Sequence, residues 1–303
     1  MQGSLAAGAR GVLAAVGSSV IFAGVFFITP MLVPTSAEGL WAIRCLLTIP
    51  LVLLVLLAGR QRELIVGIWH RILARPLIIL PLVASALLLA LQLWIFGWAP
   101  LHGRGLQVAL GYFLLPLTLI VVGRLLYRDR LTWWQWAAAG IAAVGVVFEL
   151  FRVGGVSWET LVVCVGYPIY FVLRRQLGTG HLGGMFWDLV IVLPALLFFV
   201  VREIVATPAL SENPLLWWLG PLYGLTTGLA LILYLTASKL LSLSLFGLLS
   251  YLEPALLMVA SLLNGERISA GEFVMYGAIW LAVLVITAGG AVQLLRSRGG
   301  RAG

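Results

Sequence analysis

Three charged side chains lie inside segments that are otherwise apolar, and their chemistry is the first feature to explain. Arg44, Asp188 and Glu253 each fall within a long run of apolar residues. A charge in apolar surroundings costs free energy, so each needs a partner, a solute or a functional reason. The structural alternatives are an internal hydrogen bond for either carboxyl and, for Arg44, a side chain that reaches back to the lipid headgroups.

Glu253 is the most centrally placed of the three charges. It lies beside Pro254, near the middle of its apolar segment. A carboxyl at this depth can take up and release a proton, so the position predicts a proton-coupling group in a solute pathway. A carboxyl that is simply kept neutral and hydrogen-bonded is the structural alternative.

Uncharged polar side chains extend the set. They are three tyrosines near prolines or glycines, a glutamine close to a tryptophan and a threonine close to two glycines. Irregular helix geometry at proline and glycine leaves polar groups free to meet a solute, although packing and internal hydrogen bonds are the alternatives. The predicted solute-binding residues are Arg44, Gln92, Tyr112, Tyr170, Asp188, Thr227, Tyr251 and Glu253.

Familiar catalytic and metal motifs do not occur in the sequence. The single lysine, Lys239, stands in Ala-Ser-Lys-Leu, so no P-loop is present, and neither H-E-x-x-H nor G-x-S-x-G occurs. The three histidines are scattered, and both cysteines lie in apolar segments. We therefore expect a protein that is not an enzyme and that carries no cofactor or metal.

The composition indicates the elements that must position these residues. The 303-residue chain is 62% apolar and 10% charged, whereas soluble domains carry about 25% charged residues. Because a transmembrane helix needs roughly 20 apolar residues, the chain has room for ten. We predict an all-α integral membrane protein with ten transmembrane helices, at 11–28, 39–58, 77–98, 105–123, 133–151, 157–173, 183–201, 215–236, 244–263 and 271–294.

The distribution of charge predicts orientation and excludes nucleic acid as a partner. Of the 19 basic residues, 14 lie at one set of segment ends and four at the other, and Arg44 lies within a segment. Such alternation is a topological signal rather than a basic face, and it predicts that both termini are cytoplasmic.

The first segment is long for a signal peptide, so we interpret it as an uncleaved helix. Residues 63–73 have an apolar helical face flanked by arginines, which favours a short interfacial helix over a plain loop.

A weak internal repeat divides the chain into halves. Arg44 precedes Pro50 by six residues, and Asp188 precedes Pro194 by six. We predict two five-helix repeats, 1–152 and 153–303, within one membrane domain. Because five is odd, the second repeat is inverted, as in many secondary transporters. Small residues in spans 5 and 10 allow close packing, either within the chain or in a homodimer.

The segment Leu110–Leu117 resembles the L-G-Y-F-x-x-P-L signature of RarD-type proteins, of the EamA family in the drug/metabolite transporter superfamily. Further matches follow in order along nearly the whole chain: Arg44, Tyr170, Asp188 with Pro194, Thr226–Thr227, Tyr251, Pro254 and Gly265–Glu266. The resemblance implies ten helices, an EamA-like inverted repeat and solute transport, often efflux, in a bacterial cytoplasmic membrane. Gln92, Gln107, Leu115 and Glu253 depart from the family pattern, so its substrates are not carried over.

Together these features predict a secondary transporter. We expect it to export small metabolites such as amino acids or amphipathic drug-like compounds, coupled to protons, by alternating access between inverted repeats. Its partners would be a small-molecule substrate and the lipid bilayer. Two alternatives stay open: a flippase for a lipid-linked headgroup, and a membrane sensor that binds a ligand without moving it.

Overall fold

The computed structural model describes residues 2–127, 133–153, 156–241 and 249–299, and their regular secondary structure is helical. Two short 3-10 helices, Thr29–Leu32 and Pro76–Ile78, precede α2 and α4. The α-helices are α1 (Gln2–Ile28), α2 (Ala37–Ala58), α3 (Glu63–Ala74), α4 (Ile79–Leu101), α5 (Gly105–Tyr127), α6 (Trp133–Val153), α7 (Trp158–Leu177), α8 (Leu182–Ile191), α9 (Leu193–Ala206), α10 (Ala209–Glu212), α11 (Leu216–Leu240), α12 (Leu252–Leu263) and α13 (Glu272–Gly299).

Helix length and apolarity make this a multi-pass membrane protein. Among the described residues, α1, α2, α4, α5 and α11 each contain a segment long and apolar enough to cross a membrane. The pair α8 and α9 adds a sixth if it counts as one span bent by 56°. The remaining predicted spans coincide with α6, α7, α12 and α13, apart from residues 244–248, which lie outside the described residues. Ten crossings and the inverted repeat stay predictions.

Proline explains the bend between α8 and α9. Pro194 stands in the first turn of α9, where a helix tolerates a residue without a backbone N–H. Val192 separates the two helices and keeps helical dihedral angles. Pro50, by contrast, lies inside the continuous helix α2. The two positions that match in the predicted repeat therefore differ in local structure.

Side-chain caps define several helix ends. Ser36 accepts a hydrogen bond from the backbone N–H of Gly39 at the start of α2, and Ser157 accepts one from Thr160 at the start of α7. Such caps satisfy backbone donors that have no partner within the helix. Gly178 ends α7 in the left-handed conformation, at a φ of 64°, which favours glycine.

The small residues predicted in spans 5 and 10 pack against each other within the chain. α6 lies along α13, and Ala138, Ala142 and Ala282 are buried there. A Cβ on Gly145 would come within 2.6 Å of the Ala278 Cβ, so this contact requires a glycine. These faces therefore pack closely within the chain, and a homodimer stays a prediction.

The segment predicted as an interfacial helix is helical and amphipathic. Within α3, Ile68 is buried whereas Val66 and Leu73 are exposed. The Trp69 ring stacks on Trp187 of α8, with centroids 5.8 Å apart and planes inclined by 2°. α3 therefore packs against the end of α8, and its position at the membrane surface stays a prediction.

Candidate functional site

Six side chains from six different helices form a polar and aromatic region, here called the central cluster. The Arg44 guanidinium lies 5.0 Å from the centre of the Phe96 ring. The Phe96 and Tyr112 rings meet edge to face, with centroids 6.2 Å apart. The Tyr112 and Tyr167 hydroxyls are 3.2 Å apart and share a hydrogen bond. The members are Arg44 (α2), Phe96 (α4), Tyr112 (α5), Tyr167 (α7), Tyr234 (α11) and Glu253 (α12).

Glu253 supplies the negative charge of the central cluster. It stands in the first turn of α12, where the helix dipole favours a carboxylate. Its carboxyl interacts electrostatically with the hydroxyls of Tyr112, Tyr167 and Tyr234. The side chain is half-buried, and within the described ranges it makes no hydrogen bond or ion pair. In this part of the chain Glu253 therefore keeps its bonding capacity for a ligand or a proton.

Arg44 supplies the positive charge and is almost completely enclosed. The residue is 1% exposed, so its guanidinium does not reach out to the lipid headgroups. Nε and Nη1 are buried without a hydrogen-bond acceptor among the described residues. The cation lies over the Phe96 ring, which offsets only part of the cost of burying a charge. This leaves guanidinium N–H groups free to donate to an anion.

Asp188 belongs to a second polar region at the contact of α4, α7 and α8. Its carboxylate accepts hydrogen bonds from Ser85 at 2.9 Å and Tyr170 at 3.0 Å. Arg174 lies 3.7 Å away and forms an ion pair with it. Arg174 also donates to the carbonyl oxygens of Thr179 and His181. Asp188 thus pairs with Arg174 and not with Arg44, and its partners are internal.

The remaining predicted binding residues are Gln92, Thr227 and Tyr251. The Gln92 amide donates to the Val162 carbonyl oxygen at 2.7 Å and joins α4 to α7, while its own oxygen has no partner in the described part of the chain. Thr227 donates to the Tyr223 carbonyl oxygen of its own helix. Tyr251 is buried in an apolar cluster, and among the described residues its hydroxyl has no partner. Their roles toward a solute stay predictions.

Three members of the central cluster were not predicted from the sequence. Phe96 is one of many apolar residues in its span, and nothing local marks it. Tyr234 has no nearby proline or charge within its span. Tyr167 directly precedes Pro168, and this pairing was the available signal. The three are recognised only through the helices that they face.

Polar contacts join several helices at the end of the bundle that is predicted to face outwards. Arg104 donates to Glu159 on α7 at 2.6 Å, and this hydrogen bond raises the pKa of Arg104. The Glu266 carboxylate accepts from the backbone N–H groups of Gly105 and Leu106 at the start of α5. Burial raises the pKa of Glu266 above its ordinary value. These contacts join the start of α5 to α7 and to the segment that follows α12.

The described residues contain no group of three His, Cys, Asp or Glu side chains that could hold a metal ion. Cys45 and Cys164 are buried thiols without a disulfide. The central cluster instead offers a cation, a carboxylate and phenolic hydroxyls, which suit the binding of a small polar organic molecule.

Comparisons with known proteins point to one family, although the chain matches no protein-family profile. The chloramphenicol-sensitive protein RarD of Pseudomonas aeruginosa is 38% identical over 296 residues, which cover 96% of this chain and 98% of the relative. An uncharacterised transporter of Pasteurella multocida is 32% identical over 288 residues, covering 95% and 98%. One from Haemophilus influenzae is 31% identical over 284 residues, covering 94% and 95%.

A solved structure supports the fold. One crystal structure aligns with a TM-score of 0.53 at 17% identity and covers 91% of this chain and 98% of that chain. At this identity the likeness concerns the fold alone.

Proposed function

Because this chain belongs to the RarD-type family of membrane transporters, we propose that it is a secondary transporter that exports small metabolites. The substrates would be amino acids or amphipathic drug-like compounds, and the membrane would be the bacterial cytoplasmic membrane with both termini in the cytoplasm. The central cluster carries this proposal: a buried cation and a carboxylate, unpaired among the described residues, lie on different helices. A solute bound there would contact both halves of the chain.

Transport would follow alternating access between two inverted halves, 1–152 and 153–303. Arg44, Phe96 and Tyr112 belong to the first half, and Tyr167, Tyr234 and Glu253 belong to the second. The hydrogen bond between Tyr112 and Tyr167 crosses from one half to the other. Rocking of the halves would change these contacts and expose the cluster to each side in turn.

Glu253 would couple transport to protons. Its carboxyl has no hydrogen bond or ion pair within the described ranges, so no internal partner fixes its charge. Proton and solute would then share or compete for one position in the cluster. Since neither step makes or breaks a covalent bond in the solute, this function requires no catalytic residue.

Counterflow in proteoliposomes tests the proposal. Liposomes containing the purified protein would be loaded with unlabelled amino acids and amines and diluted into labelled solute at several pH values. We expect saturable exchange of at least one solute that Glu253→Gln removes or makes independent of pH. Glu212→Gln, at the exposed last residue of α10, is the matched control. Wild-type rates and pH dependence in Glu253→Gln would contradict the proton role. Turnover of a lipid-linked headgroup without any solute exchange would support the flippase instead.

A further inference from the structure

Arg44 has the features of an anion-binding group that lacks its anion. Its Nε and Nη1 atoms are buried, and in the described ranges no acceptor reaches them. Buried guanidinium groups are usually paired, because a charge removed from water must be compensated. A carboxylate is a strong acceptor for the planar guanidinium, which can donate two parallel hydrogen bonds to it.

The carboxylate of the same cluster does not take this role. Glu253 lies in the same cluster, yet no ion pair joins it to Arg44. Both charges instead interact with Tyr112 and Tyr167. The tyrosine pair therefore lies within the fields of two opposite charges, each of which keeps bonding capacity for another group.

The surroundings of the two charges are aromatic and apolar. Phe22 and Phe26 of α1 pack on Phe96, with centroids 5.9 and 5.1 Å from its ring. Tyr112 and Tyr167 present rings 5.7 Å apart. Such a lining stabilises an apolar side chain, and the tyrosine hydroxyls can donate to a carboxylate or accept from an ammonium group.

We propose that the central cluster binds a solute that carries both a carboxylate and an ammonium group, joined to an apolar side chain. Arg44 receives the carboxylate and Glu253 receives the ammonium group. This assignment rests on the proposed transport function and names the substrate class for the same site. It also explains why two opposite charges share one cluster without pairing: the zwitterion neutralises both.

Binding to the purified full-length protein tests the assignment with three matched probes. L-leucine carries both charged groups, 3-methylbutylamine lacks the carboxylate, and 4-methylpentanoate lacks the ammonium group. Titration calorimetry in detergent would compare their dissociation constants. Since a hydrogen bond to a charged group contributes about tenfold or more in affinity, we expect leucine to bind at least about tenfold more tightly than either analogue.

Variants assign each charge to its partner. Arg44→Gln should reduce leucine binding to the level of 3-methylbutylamine and leave the amine unchanged, whereas Glu253→Gln should reduce it to the level of 4-methylpentanoate. Arg202→Gln is the control, because Arg202 also lies over a phenylalanine ring but is exposed. Arg44→Lys keeps the charge, so this variant should retain part of the preference for leucine even if Arg44→Gln fails to fold.

The outcomes separate this inference from the proposed transport. Equal binding of leucine and one analogue, or no binding of any probe, would overturn the zwitterion site. Leucine counterflow at the wild-type rate in Arg44→Gln would do the same while leaving transport intact. Selective leucine binding without any exchange in liposomes would keep the site and overturn transport.

Discussion

The amide of Gln92 on α4 fills the space that a side chain on Gly166 of α7 would need. A Cβ at Gly166 would overlap the Gln92 amide nitrogen. That nitrogen donates to the Val162 carbonyl oxygen, one turn earlier on α7, at 2.7 Å. A glycine on one helix and a glutamine on the other thus bring α4 and α7 together, and these two helices carry Phe96 and Tyr167 of the central cluster.

Gly166→Ala should destabilise the protein. The added methyl group would displace the Gln92 amide and its hydrogen bond, and overpacking of this kind costs about 1–3 kcal/mol. The thermal unfolding midpoint in detergent, followed by tryptophan fluorescence, measures the effect. Gly140→Ala is the control, because no atom lies within 4 Å of the Cβ position there. Equal midpoints for the two variants would show that the contact between α4 and α7 does not depend on Gly166.

The Glu203 carboxylate should stabilise the connection between α2 and α9. Glu203 is 4% exposed and accepts hydrogen bonds from the Ser36 backbone N–H at 3.0 Å and from the Ser36 hydroxyl at 2.6 Å. Glu203→Ala would leave a partly buried donor at the start of α2 without its partner, at a cost of up to about 1–3 kcal/mol. Glu203→Gln keeps one acceptor and should cost less. Unfolding midpoints would test this order, with exposed Glu212→Ala as the control. Identical midpoints for all three variants would contradict it.

The Asp188 network should behave as one unit that stabilises the fold. Asp188 is 2% exposed and bonds to Ser85 and Tyr170 next to Arg174. Asp188→Asn would leave Arg174 without its counter-charge, a loss that costs about 3–5 kcal/mol for buried pairs. Ser85→Ala removes a single bond and should cost about 1 kcal/mol. In the double variant the loss of unfolding free energy should be smaller than the sum of the two single losses, because Asp188→Asn already weakens the hydrogen bond from Ser85. Additive shifts in the unfolding midpoint would show independent contributions.

Some features of this chain could be predicted from the sequence because they depend on local composition. The apolar run from Pro76 to Leu101 spans the predicted third segment, and the amphipathic pattern of residues 63–73 correctly predicts α3. Long apolar runs and helical periodicity are properties of neighbouring residues, so no tertiary contact is needed to recognise them.

The partners of the charged residues could not be predicted in the same way. Arg44 lies near the end of its predicted span, which favours a side chain directed to the headgroups. The packed helices instead enclose it against Phe96 of α4. Asp188 takes its partners from α4 and α7. These neighbours depend on how helices distant in sequence are rotated against one another, and an apolar sequence leaves that rotation open.

The contact between Trp69 and Trp187 should stabilise α3. Its loss should also reveal on which side of the membrane α3 lies. The indole of Trp187 donates to the Ile65 carbonyl oxygen at 3.1 Å and stacks on Trp69, so Trp187→Ala removes two contacts at once. We expect α3 to open locally and trypsin to cut faster after Arg71, because cleavage requires unfolded backbone. Inverted membrane vesicles, which expose the cytoplasmic face, should show this increase, and right-side-out vesicles should not.

Trp218→Ala is the control, since Trp218 is exposed. Faster cutting only in right-side-out vesicles would reverse the predicted orientation. Unchanged cutting in both kinds of vesicle would show that other contacts suffice to hold α3, such as the hydrogen bond from Arg71 to the Leu177 carbonyl oxygen.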